Sequence, residues 1–188
     1  MLNSLIGIIA SSGGAAAGGA YESIASYTTT AGQTIVTFSS IPSTYASLQL
    51  RFNAQSNRAA NSDEIFMRIN GSSSAEYAVH RMWGDGSSVT AAGSTAVFTQ
   101  FDPLAACSAA NASNIFTVGI VDFHDYASTT KTKVIRNFTG YDANGSGEVR
   151  LMSGLWNNTA AITSISVDIN IANFSAGSTL SLYGIKGA

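Results

Sequence analysis

The sequence predicts an all-β fold, an antiparallel β-sandwich of jelly-roll type preceded by an extended N-terminal arm. Three observations lead there. Apolar and polar residues alternate with period two through most of the chain after Tyr21, the intervals between these stretches are rich in Gly, Asn and Ser, and no stretch combines helical capping with helical periodicity.

The alternation places strands near Tyr21–Thr28, Gln33–Ser39, Ala46–Ala54 and Glu64–Asn70. Further strands are expected near Ala75–Met82, Ser94–Phe101, Asn114–Tyr126 and Lys131–Tyr141. The last fall near Glu148–Trp156, Ile162–Ile171 and Thr179–Ile185, and Ser74–Met82 retains enough helical character for a turn or two. The clearest case is Ile165, Val167, Ile169 and Ile171 set against Ser164, Ser166, Asp168 and Asn170, which puts the apolar side chains on one face. Between the strands lie AGQ, NGSS, DGSS, NGSG and SAGS, where Gly and Asn supply the positive φ of tight turns. Roughly ten short strands at this spacing imply two packed antiparallel sheets. An immunoglobulin-like sandwich fits the count, but Cys107 stands alone and the cysteine pair of that fold is missing.

Of the 188 residues, 45% are apolar, enough for one core without disulfide or metal staples. The expected division is an arm over residues 1–20 and a β-domain over 21–188. The arm opens with MLNSLIGIIA and continues as SSGGAAAGGA. It lacks the basic residues that precede the apolar stretch of a secretory signal and is too short for a membrane span. Leu2, Leu5, Ile6, Ile8 and Ile9 make it an apolar tip on a Gly/Ala tether, a candidate docking element with a reach of about 65 Å when fully extended.

Charged residues make up 11% of the chain, against roughly 25% in an ordinary soluble protein. Weak charge repulsion between copies favours close packing, so a homo-oligomer is expected. The net charge of −2 and the scattered Lys and Arg argue against nucleic acid as a partner.

The candidate chemical groups are sparse, and each has a plain structural reading. Cys107 reads as a small buried hydrophobe. Asp122 and His124 share a strand face, with Asp125 on the other, and could begin a metal site that lacks a third ligand. Asp142-Ala-Asn144-Gly-Ser146 imitates the opening of a calcium loop, but Ser153 stands where the bidentate carboxylate belongs, so a hairpin turn is expected. His80, Arg81, Arg58 and Arg68 suit anion contacts or interface hydrogen bonds. Trp83, Trp156, Tyr21, Tyr77 and Tyr126 offer either sugar-stacking platforms or core anchors. The sequons at Asn111, Asn137, Asn157 and Asn173 read as turn-rich polar composition. No nucleophile elbow and no Ser-His-Asp arrangement is recognisable, and neither enzymatic activity nor a cofactor or metal is expected.

Several phrases together resemble a family of uncharacterised virion structural proteins of tailed bacteriophages. They are MLNSLIGIIASSGG, YESIASYT, VTFSSIPSTYASLQLR, VDFHDYASTTKTKVIRNFTGYDANGSGEV, SGLWNNTAAITSISV and the closing LSLYGIKGA. The resemblance implies a particle component, either a capsid decoration (cement) protein or a tail-associated one, located in the virion after assembly in the host cytoplasm. It also implies a trimer, phage capsid or tail proteins as partners, and host glycan as a further ligand if the chain is a tail fibre or receptor-binding module. It brings no family active site.

Overall fold

A computed structural model describes residues 19–187. The arm residues Leu2, Leu5, Ile6, Ile8 and Ile9 lie outside this range. Among the described residues there are twelve strands: β1 (Tyr21–Thr28), β2 (Ile35–Phe38), β3 (Ser47–Ala54), β4 (Ser62–Ile69), β5 (Tyr77–Gly84), β6 (Val89–Gly93), β7 (Phe101–Ser108), β8 (Thr117–His124), β9 (Lys133–Asp142), β10 (Gly147–Trp156), β11 (Ile165–Ile169) and β12 (Thr179–Ile185). All pair antiparallel, as the alternation predicts, in an eight-stranded sheet ordered β1-β12-β3-β8-β9-β10-β5-β6 and a four-stranded sheet ordered β2-β11-β4-β7.

The chain crosses between the sheets at each step from β1 to β5, and again from β6 to β8 and from β10 to β12. The steps β5–β6, β8–β9 and β9–β10 stay in the larger sheet, and the pairs β5–β6 and β9–β10 widen it. One apolar cluster fills the space between the sheets. Leu48, Leu50, Val121, Phe123, Leu180 and Leu182 from the larger sheet meet Ile65, Met67, Ile69, Ile165, Val167 and Ile169 from the smaller one. Each buried aliphatic of this kind contributes roughly 1.5–3 kcal/mol of transfer free energy. Trp156, Tyr77 and Tyr126 sit in the same interior, each 1% exposed or less, so they are core anchors rather than platforms.

Two expectations need correction, and one strand was not expected. The strand predicted at Ser94–Phe101 begins only at Phe101 and runs to Ser108. Pro103 lies within it, which β7 tolerates because it is the outermost strand of its sheet. A strand at Val89–Gly93 had no sequence signal, because every residue in it is exposed and no alternation results. The strand predicted to run to Ile171 stops at Ile169, and Ile171 is exposed rather than on the buried face.

Local chemistry closes the turns as the composition suggests. Between β9 and β10, Asn144 and Gly145 both take positive φ (55° and 114°), the backbone that Asn-Gly adopts at low cost. Lys133 is buried, and its Nζ donates to the carbonyls of Ser128 (2.8 Å), Lys131 (2.6 Å) and Thr159 (3.1 Å), pinning two loops to the start of β9.

Candidate functional site: the outer face of the larger sheet

The groups singled out for chemistry resolve into structural roles. Cys107 is fully buried, and burial followed by the charge of nearby Asp63 pushes its thiol up to about 12. Such a thiol is not a nucleophile at neutral pH. Asp122 and His124 do share the outer face of β8, as the alternation implies. Partial burial opposes ionisation of Asp122, but hydrogen bonds from Gln49 (2.7 Å) and Arg136 (2.9 Å) outweigh it and hold the carboxyl below its usual range. Asp125 stands in the following turn and pairs with Lys131 at 2.8 Å. Among the described residues, no group of three or more His, Cys, Asp or Glu side chains is placed to hold a metal ion.

The Asp142 loop is a hairpin turn. The Asp142 carboxylate accepts the Asn144 amide (2.8 Å), Ala143 N–H donates to the Ser146 carbonyl (2.7 Å), and Glu148 pairs with Arg150 (2.7 Å). The other candidate cations are also engaged. Arg58 faces Asp63 (3.9 Å), Arg68 faces Asp168 (3.6 Å), and Arg81 donates to the Asp102 carbonyl (2.9 Å). Trp83 lies between two guanidiniums, Arg81 at 5.4 Å and Arg150 at 5.6 Å. Beside them, burial first and then the charge of Asp102 raise the Glu64 carboxyl, while Arg150 and Arg81 pull it back. With Arg150 paired to Glu148 at 2.7 Å and Arg81 donating to the Asp102 carbonyl, the cluster is a layer of mixed charges whose cations are bound by groups of the protein itself.

What remains is a surface. On the side of the larger sheet turned away from the core, cross-strand register aligns Ile120, Phe138, Leu151, Met82 and Ala91 in one row over five adjacent strands. The large side chains of this row are 42–53% exposed. The neighbouring row is Val118, Gly140, Val149, Gly84 and Val89, with its three valines half or more exposed. Monomeric proteins rarely leave contiguous apolar rows of this kind open to water, so they mark interaction sites.

The face is shaped. Gly140 and Gly84 stand between the valines of the second row without side chains of their own, and a groove of about 650 Å³ runs over Val118, Ile120, Phe138, Gly140 and Val149. A second groove, about 690 Å³, lies over Met82, Leu151 and Ala91 and ends at His80, Arg136 and Ser153. The polar row Gln49, Asp122, Arg136, Ser153, His80 bounds the apolar rows on one side. An apolar centre beside a polar margin is the anatomy of a protein interface.

Towards β1, the outer face ends in an aromatic stack. The Arg51 guanidinium lies 4.8 Å from the Tyr21 ring and 5.0 Å from that of Tyr183. Of the aromatic residues flagged in the sequence, Tyr21 alone stands well exposed in this way, and Trp83 is half-buried.

Sequence reasoning passed over the apolar rows although a signal was present. In β8 and β9 the outward positions include Val118, Ile120, Val134 and Phe138 beside Asp122 and Arg136, so apolar residues occupy positions where a solvated face would carry polar ones. No protein-family model, curated protein or solved structure matches the chain.

Proposed function

We propose that the chain is a structural component of a tailed-phage particle, a decoration or cement protein that assembles on the capsid exterior, with the outer face of its larger sheet and the N-terminal arm as its assembly surfaces. The observation that carries this reading is the exposed double row of apolar side chains over β8, β9, β10, β5 and β6. A face of this composition gains free energy only when another surface covers it.

The strand order supports the reading. Strands β1, β12, β3 and β8 lie opposite β2, β11, β4 and β7, an arrangement in keeping with an eight-stranded jelly roll to which two strand pairs have been added on one sheet. Jelly rolls are common in viral capsids and in lectins. The low charge adds to it, since neighbouring copies repel one another weakly.

The second reading, a tail fibre or receptor-binding head for host glycan, is favoured by the exposed Tyr21–Arg51–Tyr183 stack, because aromatic faces are platforms for sugar rings. Quantitative densitometry of purified particles separates the two. Copy number in proportion to the capsid subunits is the expected result, and copy number in proportion to tail proteins would replace the first reading with the second. The Leu151→Asp variant, supplied in place of the natural chain, should be missing from particles.

A further inference from the structure

We infer that the partner seated on the outer face is the N-terminal segment Met1–Ile9 of a second copy of this chain, so that subunits are joined by exchanged arms. This deepens the assembly reading and rests on it.

The chemistry of the two surfaces matches. Residues 1–18 carry no charged side chain, and five of the first nine are Leu or Ile. The grooves they would enter are floored by Val118, Phe138, Val149, Leu151 and Met82, with the side-chain-free Gly140 in one of them. An extended aliphatic segment can set alternate side chains into such grooves without burying a charge.

The point where the described chain begins decides between the chain's own arm and that of a neighbour. Tyr21 pairs with Ile185, Ile185 with Ser47, and Ser47 with His124, so the chain enters β1 at the His124 end of the sheet. Both apolar rows lie towards the opposite end, at the levels of Ile120 and Val118. With strands about 4.8 Å apart and a rise of about 3.3 Å per residue, Val118 lies roughly 25 Å from Tyr21 and Met82 roughly 32 Å. From Ile9 to Tyr21 the chain spans about 40 Å at full stretch, and a Gly-rich chain of that length has a typical span of only about 17–21 Å. To fill its own grooves the arm would have to reverse direction at Gly19 and stretch beyond that typical span past the Tyr21–Arg51–Tyr183 stack. A neighbour lying ahead of the exit direction requires neither. Exchange of an identical segment is also a low-cost route to oligomers.

The experiment is complementation between two full-length variants followed by sedimentation velocity. Ile6→Asp together with Ile8→Asp disables the arm, and Leu151→Asp disables the face; Met82→Lys is a second face variant should Leu151→Asp fail to fold. Natural chains are expected to associate. Each variant alone should be monomeric, with association at least tenfold weaker and an unchanged melting temperature. An equimolar mixture should recover dimers, since one intact arm then meets one intact face. A mixture that stays monomeric overturns the proposal in favour of face-to-face packing, and so does a natural chain that is monomeric with its arm cross-linked to its own Phe138 region. Particle incorporation is scored separately. Chains that fail to complement yet still enter particles sink the arm exchange alone, whereas complementing chains that never enter particles sink the capsid reading and leave the exchange standing.

Discussion

Phe138 and Leu151 stand directly opposite one another on β9 and β10, on the side of the larger sheet that faces away from the core, and each remains about half exposed (53% and 48%). Next to them in the same row are Ile120 and Met82. A cross-strand apolar pair of this kind is worth only about 0.2–1 kcal/mol to the fold. Its greater contribution comes when a second surface removes it from water.

The first prediction follows from that difference. Phe138→Ser combined with Leu151→Ser should shift folding stability by no more than about 1 kcal/mol, because neither side chain is enclosed. The same pair should markedly reduce binding of a hydrophobic dye and self-association. A large loss of melting temperature in urea or thermal scans would place these residues in the core instead.

Gly154 occupies the other side of β10. A methyl group there would meet Phe101 at 2.5 Å and Ile135 at 2.9 Å, closer than any real Cβ contact. Overpacking of this type costs about 1–3 kcal/mol, so Gly154→Ala should lower the melting temperature by roughly 2–12 °C. Gly84→Ala is the control, since its nearest neighbour would be at 3.6 Å, an ordinary van der Waals contact. Differential scanning calorimetry of the two variants checks the contrast.

The all-β architecture was legible because β8, β11 and β12 bury alternate residues, and that period is written directly in the sequence. Val89–Gly93 was not legible, since a fully exposed strand imposes no period and is held by pairing with β5 alone. The Phe101–Ser108 strand was misplaced because Pro103 reads as a breaker until its position at a sheet edge is known. The candidate site lay hidden for a related reason. Alternation ranks residues as in or out along one strand, whereas the row Ile120-Phe138-Leu151-Met82 exists only after four strands are brought into register. The apolar arm was visible in the sequence as composition, and its five aliphatic residues fall outside the described range.

Glu76 gives a pH prediction. Its carboxylate accepts hydrogen bonds from the Ser72 hydroxyl, the Trp156 indole N–H (2.7 Å) and the Asn158 amide (3.2 Å). Burial works against its ionisation, but these donors outweigh it and hold the carboxyl below its ordinary value. A group whose folded pKa is depressed adds stability above its unfolded pKa, about 4.3 for Glu, and loses it as pH falls through the folded pKa. The urea midpoint should therefore decline as pH drops below about 4.3, with a change in Trp156 fluorescence, and Glu76→Gln should flatten that decline. An identical acid profile in the variant would assign the loss to other carboxylates.

Cys107 should be silent towards thiol reagents in the native protein. It is fully buried and its thiol is pushed up to about 12, first by burial and then by Asp63. At pH 8, reaction with a disulfide reagent should be roughly a thousandfold slower than in the urea-unfolded chain, because both access and thiolate fraction are lost. Rapid labelling of the native protein would show that β7 opens locally.

The Asp142 loop supplies the last prediction, because it is the segment whose sequence most imitates a calcium site. Several of its oxygens are already engaged: Asp142 Oδ1 accepts the Asn144 amide, the Ser146 carbonyl accepts the Ala143 N–H, and Glu148 is held by Arg150, whose side chain is only 6% exposed. Calcium would have to break the Glu148–Arg150 pair and leave a buried guanidinium without its counter-charge, a cost of about 3–5 kcal/mol. Against that, a cation at one hundred times its dissociation constant stabilises a fold by only about 2.7 kcal/mol. The melting temperature should therefore move by no more than about 1 °C between excess EDTA and about 5 mM calcium, where a site half-saturated at 50 μM would raise it by roughly 5–11 °C. A rise of that size, abolished by Asp142→Asn, would establish a calcium site at the tip of the β9–β10 hairpin.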